Sequence, residues 1–218
     1  MSIGTRVTPR GRRRALRTLD AAGRRAFDIA FALTALVLTA PLLLLAIVLI
    51  RLDSPGPALF RQPRMGRDGR IFALVKLRGM YVDAAHRFPN LYDYDAMSSD
   101  SHFHTADDPR VTRVGRWLRR YSIDELPNFW NVLRGDMSVV GPRPEIPELA
   151  HLYGPELSRF LSVRPGVTSP AKATGRDELS FAETLARELD YIEHRTIGRD
   201  LAVIARTAVT VLTGRNAN

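Results

Sequence analysis

IAFALTALVLTAPLLLLAIVLI, running from Ile29 to Ile50, holds no charged side chain across 22 positions. A helix needs roughly 20 residues to cross the hydrocarbon of a bilayer, so an uncharged run of this length reads as a membrane element. A cleaved secretory signal fits poorly, because the cationic lead is long and no small-x-small site follows. Pro41 falls near the middle of the run and removes a backbone donor, which predicts a kink or break there. Arginines flank both sides, with Arg24 and Arg25 before the run and Arg51, Arg61, Arg64, Arg67 and Arg70 after it. The positive-inside rule therefore sets no direction. A helix that enters, bends at Pro41 and returns to the same face accounts for both features. A plain spanning helix is the simpler physical reading, since many spanning helices tolerate proline.

Outward from this run the chain changes character. Residues 1–25 form a cationic N-terminal tail, either a solvated charge run or a segment drawn to anionic headgroups. The whole chain has 218 residues and a net charge of +9. That charge implies an anionic partner, whether nucleic acid, anionic lipid or a phosphorylated substrate. It has no cysteine, which excludes disulfides, thiolate catalysis and Cys-ligated metal. After the turn at Pro55-Gly56-Pro57, Ala58 to Gln62 and Ile71 to Leu77 read as two short strands joined through Gly66-Arg67-Asp68-Gly69. Residues 83–109 read as a long polar loop. Short helices are expected at 114–120 and 125–134, and longer ones near 180–196 and 199–212. The last aligns Leu201, Ile204, Ala205, Ala208, Val211 and Leu212, a stripe that suits either a core or a membrane surface. The fold class expected is α+β, mostly helical, with a small β-hairpin.

The densest chemistry lies in Arg119-Arg120-Tyr121-Ser122-Ile123-Asp124-Glu125-Leu126-Pro127. Adjacent carboxylates on a helix point about 100° apart, so Asp124 and Glu125 suit two different jobs. Ser122-x-x-Glu125 also has the form of a capping box, and Asp124 could itself be an N-cap. With Asp124 as cap, Pro127 falls in the first turn, where its missing donor does little harm. Either choice sets Asp124 near a helix N-terminus, which favours an ionised carboxylate and a nearby phosphate.

Asp124-Glu125-Leu126-Pro127, Asn131-Val132-Leu133-Arg134-Gly135-Asp136-Met137-Ser138 and Gly141-Pro142-Arg143-Pro144 resemble the signature of bacterial sugar transferases, the monotopic polyprenyl-phosphate phosphoglycosyl transferases. Lys76-x-Arg78-x-Met80, Asp108-Pro109-Arg110-Val111-Thr112 and Arg164-Pro165-Gly166-Val167-Thr168 extend the resemblance to residues 25–215 or so. The chain is similar to the family's minimal form. The resemblance implies a re-entrant membrane helix over 26–52, with both ends cytoplasmic, and a catalytic domain over 53–218 at the inner membrane. Relatives break this helix at a Ser-Pro pair. Here Ala40-Pro41 stands in that place, with Thr39 as a substitute hydroxyl.

The same resemblance implies that Asp124 is the nucleophile and takes a phosphosugar from a UDP-sugar, releasing UMP. Polyprenyl phosphate then accepts the phosphosugar. Glu125 matches the residue associated with Mg²⁺. Arg119, Arg143 and Arg176 are the expected phosphate ligands, with Lys76 and Arg78 as further candidates at a strand end. Asp136 stands equally well as a catalytic or a helix-terminating residue. Membrane lipid is an implied partner, and a homo-oligomer is compatible with the reading. After Thr168 relatives usually read Gly-Trp-Ala-Gln, whereas this chain reads Ser169-Pro170-Ala171-Lys172, a departure that bears on nucleotide or sugar preference. Two other classes compete on the residues. Nucleic-acid binding is suggested by charge alone and has no reading motif, so no nucleic acid is expected. A catalytically idle scaffold is opposed by the intact Asp124-Glu125. His102-x-His104 with Asp107 and Asp108 invites a metal site but offers no third well-spaced ligand beyond that loop.

Overall fold

The apolar run forms the centre of one long helix, α1, spanning Pro9–Asp53 in the computed structural model, which describes residues 9–88, 98, 108–174 and 179–213. Pro41 lies inside α1, and the helix continues on both sides of it. Thr39 Oγ1 donates to Ala35 O at 2.7 Å, one turn back. That is not the carbonyl Pro41 leaves unpaired, which belongs to Val37 four residues before it. One stripe of α1 is buried, at Asp28, Ala32, Ala46 and Ile50. The opposite stripe, with Leu33, Val37, Leu38, Leu44, Leu45, Val48 and Leu52, is exposed. The helix is long and apolar enough to cross a membrane.

Beyond α1, β1 (Leu59–Met65) and β2 (Ile71–Leu77) pair antiparallel, from Leu59 opposite Leu77 to Met65 opposite Ile71. β1 runs three residues past the expected end because Pro63 is tolerated in a two-stranded sheet, where every strand is an edge. The one-turn α2 (Ala84–Arg87) follows, then α3 (Arg113–Arg120), whose N-cap Thr112 accepts from Gly115 N at 2.9 Å. α4 (Asn128–Arg134) leads into β3 (Ser138–Val140). A 3₁₀ stretch at Pro147–Glu156 and α5 (Leu157–Phe160) lead to β4 (Gly166–Thr168), which pairs parallel with β3. α6 (Pro170–Ala173), α7 (Phe181–Glu193) and α8 (Ile197–Leu212) complete the mostly helical α+β fold. α7 opens on a full capping box, Ser180 with Glu183.

Polar contacts fix α1 to this body at both ends. Arg25 donates to Val132 O at 2.6 Å and Leu133 O at 2.9 Å, gripping the carbonyl end of α4. Buried Asp28 accepts from Ser138 Oγ at 2.9 Å and from Val139 N at 2.8 Å. Arg24 pairs with Asp200 on α8. At the far end Asp53 accepts from Val114 N at 3.0 Å. Between them, Ala32 packs with Phe129, Val132 and Met137, whereas Ala46 and Ile50 pack with Leu77, Leu118 and Ile123. These polar anchors and the two apolar clusters together fix the register of α1 on the body. The C-terminal stripe turns outward: Val203 and Asp200 are buried, while Leu201, Val209 and Leu212 are exposed. Of the stripe itself, Ile204 packs against the core beside Val203, while Leu201, Ala205, Ala208 and Leu212 are exposed.

Candidate active site

Two backbone crossings bring the cationic and acidic segments together. Thr112 N donates to Gly79 O at 3.1 Å, and a Cβ on Gly115 would lie 1.9 Å from that same oxygen. Only glycine lets α3 press this closely on the end of β2. A Cβ on Gly141 would meet Arg164 O at 2.4 Å, and one on Gly166 would meet Gly141 N at 2.2 Å. The two motifs Gly141-Pro142-Arg143-Pro144 and Arg164-Pro165-Gly166 are therefore the two sides of one tight crossing at β3 and β4.

Asp124 and Glu125 sit in a 3₁₀ turn, Ile123–Glu125, between α3 and α4. The capping expected of them is not formed. Ser122 makes no side-chain cap and is left-handed, with φ 51°, while α4 begins at Asn128 after an uncapped Pro127. A non-glycine residue at positive φ is strained, and such strain gathers at functional turns. Buried Ile123 pins the turn into the cluster formed with Ala46 and Ile50 of α1. The acidic pair thus stands on the half of the apolar helix that follows Pro41, freed from helix-capping duty.

Glu125 opens onto a cleft lined also by Lys76, Asn128, Arg143, Thr168, Ser169 and Lys172, among others, with about 390 Å³ of empty space including its mouth, while Asp124 sits beside it in the same turn. Lys76 Nζ lies 3.3 Å from Glu125 Oε1. Lys172 Nζ forms a close ion pair with Glu125 Oε2. Burial alone would raise the Glu125 carboxyl, but the ammonium groups of Lys172 and Lys76, the Lys172 hydrogen bond and Arg143 overcome it. They hold Glu125 well below the usual carboxylate range. Asp124 moves the other way. Burial, reinforced by the charge of Glu125, pushes it up to about 6 against Lys76, Lys172 and Arg119. Two adjacent carboxyls driven apart in this manner suit separate chemical roles.

The other expected residues divide. Arg143 lines the cleft, and Arg119 acts on Asp124 from α3. Arg78 is buried, with its guanidinium donating to Pro55 O at 2.9 Å and Ser54 O at 2.8 Å, so it ties down the turn after α1. Asp136 meets Arg134 at 3.3 Å and Asn131 Nδ2 at 3.4 Å at the end of α4. Arg176, His102, His104 and Asp107 lie outside the described residues; Asp108 is paired with Arg110 at 2.7 Å. Lys172 and Asn128 were not singled out from the sequence. The signal for Lys172 was present: of the 32 Lys and Arg residues only Lys76 and Lys172 are lysine.

Among the described residues no three His, Cys, Asp or Glu side chains gather as a metal cage. Mg²⁺ asks for less, since one or two carboxylates plus substrate phosphate oxygens suffice. Glu125 beside Asp124 fits that requirement once one lysine contact is released.

A carboxylate pair of divided acidity thus lies among cations, on a helix long and apolar enough to cross a membrane. The family model for bacterial sugar transferases matches residues 19–214, and the chain belongs to that family. It is 42% identical over 216 residues to the undecaprenyl-phosphate glucose phosphotransferase of Komagataeibacter xylinus, covering 94% of this chain and 38% of the relative. It is also 42% identical over 202 residues to the UDP-glucose:undecaprenyl-phosphate glucose-1-phosphate transferase of Caulobacter vibrioides (89% and 71%). The exopolysaccharide production protein ExoY of Sinorhizobium fredii is 32% identical over 206 residues (93% and 91%). The chain therefore spans well under half of the first relative and nearly all of the last.

Proposed function

We propose that the chain is a membrane-bound phosphoglycosyl transferase that moves a phosphosugar from a UDP-sugar to undecaprenyl phosphate in exopolysaccharide assembly. The observation that carries this reading is the Asp124-Glu125 turn, standing on α1 and presenting Glu125 to a cleft with Lys76, Arg143 and Lys172. The names of the relatives from Komagataeibacter and Caulobacter support the substrate classes. Asp124, ionised at neutral pH, attacks the phosphorus that bears the sugar. An aspartyl–phosphorus bond forms, the bridging P–O bond breaks, and UMP leaves with its electron pair. An oxygen of the lipid phosphate then attacks the same phosphorus, giving the lipid diphosphate sugar and restoring the Asp124 carboxylate. Lys76, Arg119 and Arg143 screen the charge that would otherwise repel one anion from another. Mg²⁺ bound at Glu125 would draw further charge from the phosphate oxygens.

The same reading has α1 entering the membrane with both flanks on the cytoplasmic face. Support comes from its anchors: Arg25 and Asp28 before the apolar run, and Asp53 after it, grip one body. A run crossing the roughly 30 Å hydrocarbon core would separate those anchors across the bilayer. The test is a UMP-release assay on the full chain in lipid nanodiscs, with undecaprenyl phosphate, Mg²⁺ and a panel of UDP-sugars. UMP release matched by a lipid diphosphate sugar is expected with at least one donor. No release from any donor, or UMP without lipid product, contradicts the reading.

A further inference from the structure

The only two lysines of the chain end on the same carboxylate. Every other basic residue outside the five histidines is arginine, including those that grip carbonyls and carboxylates elsewhere, such as Arg25, Arg64 and Arg110. The two cations differ in how they let go. An arginine fork holds a carboxylate through two parallel bonds of fixed geometry, whereas an ammonium is a compact point charge on a flexible stem. Lysine is therefore the choice where an ion pair must form and then be exchanged.

Lys172 is also firmly placed. Ser169 caps the single turn of α6, accepting from Lys172 N at 3.2 Å, and Pro170 opens that turn. Ala171 beneath it is fully buried, so the backbone that carries Lys172 is fixed while its side chain reaches into the cleft. Its Nζ contacts Glu125 Oε2 and lies 3.5 Å from Val167 O. With Lys76 on Oε1, both Glu125 oxygens are engaged. A divalent ion that takes the Oε2 face of this carboxylate displaces Lys172, and one that takes the Oε1 face displaces Lys76.

We propose that Lys172 occupies the face of Glu125 that a divalent cation takes, and that exchange between them sets how tightly the centre holds metal. The proposal rests on Glu125 being the metal carboxylate of the proposed reaction. The displaced ammonium remains in the cleft beside Arg143, Thr168 and Ser169, where the phosphates of a nucleotide sugar would lie. Lys172 thus serves two states of the same site, balancing Glu125 before the cation binds and the substrate's charge afterwards.

The test is Mn²⁺ binding, followed by electron paramagnetic resonance on the full chain in lipid nanodiscs without nucleotide. Removing a unit charge a few ångströms from the ion should tighten Mn²⁺ binding by roughly tenfold or more in Lys172→Gln. Lys172→Met carries the same expectation should the glutamine variant unfold. Lys172→Arg, with a fork that does not yield, should bind no better than the native chain. The Lys172→Gln/Glu125→Gln double variant should lose the gain. Native-like or weaker binding in both neutral variants overturns the proposal, and so does a gain that survives loss of Glu125. UMP release is scored separately, so failure of the proposed reaction would be seen as absent turnover whatever the Mn²⁺ titration gives.

Discussion

Replacing Glu188 with glutamine should remove most of the pH dependence of stability above pH 6.5. Glu188 lies on α7 with no exposed surface, its carboxyl near the Ser169 hydroxyl and the Ala171 amide. Burial pushes it up to about 8, and the Ser169 hydroxyl, the Ala171 amide and Arg143 offset that only in part. Between its ordinary 4.5 and about 8, the folded chain keeps a proton that the unfolded chain has lost. Stability therefore falls as pH rises through this window, by about 1.4 kcal/mol per unit and at most about 5 kcal/mol across it. For a chain of this size that slope lowers the unfolding midpoint by about 3–5 °C per pH unit. The raised Asp124, at about 6, is roughly nine-tenths ionised by pH 7, which leaves the upper part of the window to Glu188. Thermal unfolding in nanodiscs at half-unit steps from pH 6.5 to 8.5 measures the slope. The native chain should lose stability steadily, whereas Glu188→Gln should stay nearly flat and end the more stable of the two. Parallel slopes would refute the reasoning.

Asp124→Asn should abolish turnover and raise stability at pH 7 by up to about 3 kcal/mol, because a carboxyl shifted from 3.8 to about 6 opposes folding when ionised. That gain should vanish below pH 4, where both states are protonated, and a variant no more stable than the native chain at pH 7 would contradict the assignment. Asn131→Leu should cost about 3 kcal/mol or more, seen as a lowered unfolding midpoint. It strands Val75 N and Ala73 O, which now meet Asn131 at 3.0 Å and 2.8 Å in the interior. Single cysteines at exposed Ala22 and Leu59, in a chain with no others, should both resist an impermeant maleimide until spheroplasts are opened. Labelling of the Ala22 position alone would mean that α1 spans.

The sequence made some of this architecture readable and hid other parts for physical reasons. The apolar run, the hairpin and the two long C-terminal helices carry signals over many residues, and they form where expected, apart from shifts of a few residues at their ends such as β1 running on to Met65. β3 and β4 are three residues each and pair only through a distant partner, so no local period announces them. Ser122-x-x-Glu125 imitates a cap, yet the left-handed Ser122 turns the chain into a 3₁₀ turn instead. Asp124, Glu125, Lys76 and Arg143 stand in dense motifs, and the structure brings Lys76, Glu125 and Arg143 to one cleft with Asp124 in the adjoining turn position. Lys172 was missed because it sits on a one-turn helix opened by proline, where neither period nor propensity points. Arg78 shows the converse limit: a cation at a strand end looks free until the Ser54 and Pro55 carbonyls that it holds are seen.

The central claim is that Asp124 carries the phosphosugar. Full chain in nanodiscs, quenched rapidly after mixing with Mg²⁺ and a competent UDP-sugar but no lipid acceptor, should gain the mass of one phosphosugar. Peptide mapping should place that mass on the segment containing Asp124. Undecaprenyl phosphate added before the quench should discharge it, and Asp124→Asn should never acquire it. UMP release and lipid product without any adduct, together with kinetics that require both substrates bound at once, would contradict the account.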